Sequence, residues 1–268
     1  MNSKYYLTEV DKHPASIYCY FNLKGESFVE SHQHQKGQFL YAEGGVVHVK
    51  TNVGTHYLPA RHYMWIPPRV EHAIYPSSSN VVMKNLYFPI AHQALSFYNK
   101  IGIYPINSLL IELLLFTKNW QGDVFQIQKN KYVIVDAFRA LLQQTASQSL
   151  LLELPHPKDH RLNLVINYLS EHIYEEHLLP QLASKFSMTD KSLYRLFKKN
   201  LNMSFIKYYT QLRIFKSLEL LMNPNYNISE VATRVGYHSL PTFSNTFHKI
   251  MGKRPSEYRK SKQIYFED

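Results

Sequence analysis

Between Ile17 and Phe88 apolar and polar residues alternate in short stretches, interrupted by Gly25, Gly37, Gly44-Gly45, Gly54, Pro59 and Pro67-Pro68. A period of two broken by turn residues predicts antiparallel strands in a sandwich or barrel. In one such stretch Val46, His48 and Lys50 share a face, and Val47, Val49 and Thr51 share the other. Beyond Pro105 the period lengthens. Ile134, Phe138, Leu141 and Leu142 recur at i, i+4, i+7 and i+8, one stripe of a helix, and a second apolar helix is predicted over Ser108 to Thr117. These two helices either close over the strands or pair with another subunit. The segment LELPHPKDH, with two prolines and mixed charge, predicts a linker and divides the chain into domains 1–158 and 159–268.

The second part is helical in pattern. LPQLASKFSMTDKSLYRLFKKNL reads as a short helix, a turn and a second helix, with Thr189 suited to cap the second. Leu193, Leu196, Phe197 and Leu201 form its inner stripe, Lys191, Arg195 and Lys198 the opposite face, and Ser192, Tyr194 and Lys199 the margins. Such a helix fits the major groove, ~12 Å wide, where Arg or Lys pairs with guanine and hydroxyls adapt to either base. A solvated charged face has the same pattern, so one copy alone decides little. A second copy decides more. ISEVATRVGYHSLPTFSNTFHKIMG repeats the order, with Ser239 as cap, Phe243, Phe247 and Ile250 inward, and Pro241, Thr242, Asn245 and Lys249 outward. Pro241 stands in the first turn, where its missing N–H costs little. The stretch Met203 to Met222 predicts a connecting helix of ~30 Å, close to the ~34 Å of one DNA turn. One chain can thus set two reading helices into successive major grooves.

The 268 residues suffice for about two domains of ~150 residues. Net charge is +10, although only 19% of residues are charged, so the basic excess comes from a shortage of acids. It favours polyanions, nucleic acid first. Residues 1–158 hold 14 basic and 10 acidic side chains, against 16 and 10 in the shorter second part, which is therefore the candidate for DNA. Cys19 is the only cysteine, which excludes an intrachain disulfide and suits a reducing compartment. The apolar run from Leu109 to Phe116 is broken by Glu112 and falls short of the ~20 residues of a membrane span. The start MNSKYYLTEVDKHPAS has no apolar core of a signal peptide. A cytoplasmic protein without membrane association is expected.

Arg161 to Lys260 resembles the DNA-binding domain of AraC/XylS-type transcription regulators, through LASKFSMTDKSLYRLFKKNL, RIFKSLELL and above all ISEVATRVGY followed by FSNTFHKIMGKRPSEYRK. The resemblance implies an all-α domain with two helix-turn-helix motifs joined by a long helix. It assigns base contacts to Lys191, Ser192, Tyr194 and Arg195, and to Pro241, Thr242, Ser244 and Asn245. The second set lacks the arginine or glutamine often found there, which predicts weaker guanine readout, with Asn245 reading adenine and Lys249 and Lys253 holding phosphates, while Lys198 belongs to the DNA-binding face of the first helix.

HQHQKGQ places His32 and His34 on one strand face with Gln38 four beyond, and WIPPRVEHAIYP adds His72. This half resembles the cupin-like barrel that such regulators use for sensing, giving a two-domain α+β chain. In metal-dependent cupins the matching histidines, with a glutamate at the place of Gln38, bind a divalent ion. Gln38 removes that charge, and Glu43 is in the wrong register to replace it. Three imidazoles still suit zinc, iron or nickel. Without a metal, Phe39, Tyr41, Trp65 and Tyr87 supply flat faces for an organic effector, a sugar by family habit, and His32, His34, Gln38 and His72 orient it. Each aromatic also reads as ordinary core. The expected protein is no enzyme and needs no cofactor. It is a regulator, more often an activator in this family, whose partners are double-stranded promoter DNA, a small-molecule effector, a second copy of the chain and RNA polymerase. The alternative is a metal-dependent cupin enzyme or metal sensor fused to a DNA-binding domain, with His32, His34 and His72 as ligands. A third reading makes the barrel a dimerisation module without an effector.

Overall fold

The computed structural model of the chain describes residues 9–22, 28–90, 96–146, 149–175 and 178–260, so the turn expected at Gly25 lies outside the described residues. The alternating stretches form β1 (Ile17–Asn22), β2 (Val29–His32), β3 (Gly37–Glu43), β4 (Val46–Thr51), β5 (Gly54–Pro59), β6 (His62–Ile66), β7 (His72–Pro76), β8 (Val82–Phe88) and β9 (Gly102–Pro105). After them come α1 (Ser108–Phe116), β10 (Gly122–Val124), α2 (Lys129–Thr145) and β11 (Glu153–Pro155). Among the described residues the strands pair as two antiparallel sheets, ordered β10-β1-β8-β3-β6-β9 and β11-β5-β4-β7-β2, and not as one closed ring. The chain divides into two compact units, the second comprising Val53–Thr55 and everything described from Leu152 onward. The segment expected to be a bare linker therefore contains β11, and the expected cut at Lys158 falls after it.

Every residue of β3 and β6 is buried, because both faces of the six-stranded sheet are covered. On one face Phe39, Tyr41, Tyr63, Trp65, Leu86 and Phe88 pack with Leu110 and Leu114 of α1 and Val135, Phe138 and Leu142 of α2. Phe39, Tyr41 and Trp65, expected beside an effector, thus belong to the helix-covered core. Their strand parity explains this: Gln38 faces the other way, and Phe39 pairs in register with Trp65 and Leu86. Gly37 lets the indole close over the strand, since a Cβ there would collide with the Trp65 ring. Helix α1 keeps its expected extent, with Asn107 capping Leu110 N–H at 2.9 Å and Thr117 as the last cap. In α2 the buried stripe is Val135, Phe138 and Leu142; Ile134, expected on it, is only half-buried.

The second unit contains α3 (His160–Glu171), α4 (Leu178–Lys185), α5 (Asp190–Leu201), α6 (Phe205–Leu221), α7 (Ile228–Arg234), α8 (Leu240–Met251) and α9 (Pro255–Lys260). Side-chain caps set their starts: Asp159 for α3, Thr189 for α5, Ser204 for α6, Asn227 in a capping box with Glu230 for α7, and Ser239 for α8. Each such cap stabilises its helix by ~1 kcal/mol. Connecting helix α6 buries Phe205, Tyr208, Leu212, Ile214, Phe215, Leu218 and Leu221, more than one stripe, because helices of both motifs pack on it. Between α7 and α8 the chain turns at Gly236, with φ of +80°. A Cβ there would stand 2.6 Å from the Ile173 carbonyl oxygen, so only glycine fits.

Candidate nucleic-acid interface and effector site

Both reading helices expose the expected face. In α5, Leu193, Phe197 and Leu201 are buried, while Lys191, Ser192, Tyr194, Arg195 and Lys198 are exposed. Leu196, expected inward, is half-buried. In α8, Phe243, Phe247 and Met251 are buried; Met251 takes the place expected of Ile250, which is half-buried. Pro241, Thr242, Asn245 and Lys249 are exposed and Ser244 half-buried. Lys191 and Pro241 each stand two residues after the cap of their helix, so the two faces are equivalent by structure as well as by pattern. Acid is present only at Asp190 in these first turns, and basic residues occupy both last turns, which leaves the outward faces positive.

One residue of this face was missed in the sequence. Arg254 follows α8 beyond Gly252, whose φ of +70° reverses the chain. Its Nη1 donates to Asn245 Oδ1 at 2.6 Å and to Ser244 Oγ at 3.3 Å. A guanidinium therefore lies on the second reading face, which by helical spacing alone contains none. The contact also changes Asn245. With one Oδ1 lone pair engaged by Arg254, the bidentate pairing of Asn245 with adenine, which needs donor and acceptor together, competes with that contact.

In the first unit, His32, His34, Gln38, His72 and Tyr87 come together where β2 and β7 of one sheet meet β3 and β8 of the other. The ring centroids of His32 and His72 are 4.3 Å apart, those of His34 and His72 5.2 Å, and His34 meets the Tyr87 ring edge-on at 5.0 Å. Gln38 Oε1 lies 3.1 Å from His34 Nε2 and 3.0 Å from His72 Nε2, and Gln38 Nε2 donates to Asn85 Oδ1 at 2.6 Å. Asn85, on the same sheet face as Gln38, had no sequence signal, since it sits in an apolar strand like any other polar residue. Burial, reinforced by repulsion from His32 and His34, pushes the His72 imidazole down to about 3, and burial lowers His32 and His34 as well. All three rings are therefore neutral near pH 7. Glu43 stays apart, hydrogen-bonded to Tyr41 on the opposite sheet face. Among the described residues, the group of histidines and acids able to hold an ion is His32, His34 and His72, whose ligand atoms all lie within 4.8 Å of one another.

Residues 182–261 match the family described as a helix-turn-helix domain, and residues 13–97 match the AraC-like ligand binding domain. The HTH-type transcriptional regulator NimR of Escherichia coli is 28% identical over 255 residues, covering 93% of this chain and 90% of the relative. The HTH-type transcriptional activator RhaR of Mannheimia succiniciproducens is 23% identical over 231 residues, 86% of this chain and 78% of the relative. The raffinose operon transcriptional regulatory protein RafR of Pediococcus pentosaceus is 34% identical over 101 residues, 38% of this chain and 36% of the relative. No helix among the described residues is long and apolar enough to cross a membrane. With a ligand-binding domain matched on one half and a duplicated DNA-reading motif on the other, the chain belongs to the AraC-type, DNA-binding transcription regulators.

Proposed function

We propose that the chain is a cytoplasmic, non-enzymatic transcription activator that places α5 and α8 in successive major grooves of a promoter and responds to a small molecule held by its first unit. The duplication carries this reading: two capped helices present equivalent outward faces from one unit, on either side of α6. Lys191, Ser192, Tyr194 and Arg195 read bases from α5, and Pro241, Thr242, Ser244 and Asn245 from α8. Lys198, Lys249 and Lys253 hold phosphates. A homodimer and contact with RNA polymerase complete the activator. Arg195→Ala should weaken binding by ~1–3 kcal/mol and relax preference at one base pair, read from a panel of single-base operator variants. An unchanged affinity and unchanged footprint would remove Arg195 from the interface.

At α8 the readout is attributed to the Arg254–Asn245 pair. Arg254→Ala should lose about tenfold in affinity and, by freeing Asn245 Oδ1, move the preferred base at its position toward adenine. The same operator panel tests it, and a uniform loss across all sequences would make Arg254 a phosphate contact only.

The effector binds at His32, His34, Gln38 and His72 in this reading, which their convergence with Tyr87 and Asn85 supports. A sugar or similar polar metabolite is the first class to screen, supported by similarity to the raffinose operon regulator. The effector must bind one arrangement of the chain better than another, because equal affinity for both shifts nothing.

A further inference from the structure

Phe205, Tyr209 and Arg213 recur at i, i+4 and i+8 and so share one stripe of α6. This stripe runs between the two motifs. At its first end Phe205 meets Phe197 of α5 edge-on at 5.3 Å, and Tyr209 stacks on Phe205 at 5.7 Å. At its other end the Arg213 guanidinium lies 4.0 Å over the Tyr209 ring and 5.5 Å from the ring of Tyr237, in the turn between α7 and α8. Tyr237 packs at 5.4 Å against Phe243, a buried residue of α8. A continuous run of rings, bridged by one planar cation, thus joins the core of the first reader to the core of the second.

Hydrogen bonds hold the cation in this place. Arg213 Nη2 donates to the Tyr209 hydroxyl at 2.5 Å, and that hydroxyl, whose pKa burial raises against the pull of Arg213, donates to the Ile173 carbonyl at 3.0 Å. Gly236 closes the arrangement from the side of the turn, since a Cβ there would collide with Arg213 Nη2 as well as with the Ile173 carbonyl. Arg213 Nε is buried with no hydrogen-bond partner among the described residues. An arginine on a helix flank avoids that cost by turning its head to water; here two ring faces and a hydroxyl keep it in. We propose that Arg213 is a positioning residue for DNA recognition: by clamping the Gly236–Tyr237 turn to α6 it fixes how the second reader stands relative to the first, and so which separation of base elements the chain accepts. The inference rests on the reading that α5 and α8 engage one duplex together. None of the base or phosphate contacts assigned above uses Arg213. Lysine does not replace it, because an ammonium is a compact, hydrated charge without a planar face.

The test compares the full-length chain with Arg213→Lys and Tyr209→Phe on three labelled duplexes: the promoter with both elements, the same promoter lengthened by two base pairs between them, and the promoter with one element scrambled. Wild type should bind the first at least about tenfold more tightly than the others. Arg213→Lys should stay within about twofold of wild type on the scrambled duplex, lose about tenfold on the intact promoter and no longer distinguish the lengthened one. Tyr209→Phe, which keeps the ring and removes the hydroxyl, should lose about threefold in the same pattern, and it decides the matter if the lysine variant fails to fold. Spin labels on the exposed positions Lys199→Cys and His248→Cys, in a Cys19→Ser background, report the readers directly. The distance distribution should be narrow in wild type and broad in Arg213→Lys. Equal losses on all three duplexes, or undiminished discrimination with a narrow distribution in the variants, would overturn the proposal. A wild-type chain that itself fails to distinguish the duplexes would instead overturn the reading of two readers on one duplex, and the proposal with it.

Discussion

Raising salt from 50 to 200 mM should weaken promoter binding by about a thousandfold. Lys191, Arg195 and Lys198 stand exposed on the first reading face, and Lys249, Lys253 and Arg254 on or beside the second. If the base-reading cations displace counterions from the duplex as the three phosphate-holding lysines do, the six together give a slope near −5 in log affinity against log salt. The charge distribution supports so large an effect, because the basic excess is concentrated in residues 159–268. Fluorescence anisotropy with a labelled promoter duplex at four salt concentrations measures the slope. A slope shallower than about −2 would mean that one reader docks while the other stays off the duplex.

Phe197→Ala should destabilise the second unit by ~3–5 kcal/mol and abolish specific binding. Phe197 is fully buried, and its ring packs at 5.3 Å from Phe205 and 5.4 Å from Tyr208, so it joins α5 to the start of α6. Truncation leaves a cavity at the point that sets how the first reading helix projects. The comparison is Tyr194→Ala, one turn earlier and exposed, which should change stability little while still weakening DNA binding. Denaturant unfolding of the full chain separates them. Only the transition of the second unit should shift in Phe197→Ala, because its contacts lie within that unit. Equal stability losses in both variants would contradict the assignment of inner and outer faces.

The DNA-reading half was largely legible because capping residues and a 3.6-residue period are local signals. Thr189 and Ser239 mark helix starts, and the phenylalanines after them mark the buried stripe. Arg254 was illegible for the opposite reason: it reaches Asn245 after a chain reversal, a contact that no helical spacing announces. In the first half, the histidines and Gln38 were found because their residue types are unusual in strands; of the aromatics named with them, Tyr87 lies beside His34, whereas Phe39, Tyr41 and Trp65 took the alternative reading of ordinary core. A strand buried on both faces shows no polar alternation, so β3 gives little warning that Phe39 and Tyr41 serve the helix-covered core. Parity alone would have separated them from Gln38.

The helix between the two readers spans 17 residues, and buried side chains along it pack against both motifs, so it is a strut and not a tether. When one reader has docked, the strut holds the other at a high effective concentration over one place on the duplex and at almost none elsewhere. Two contacts that are each weak thereby combine into avidity that depends on phase. A promoter whose two elements are individually good but half a helical turn out of step offers the chain no more than either element alone.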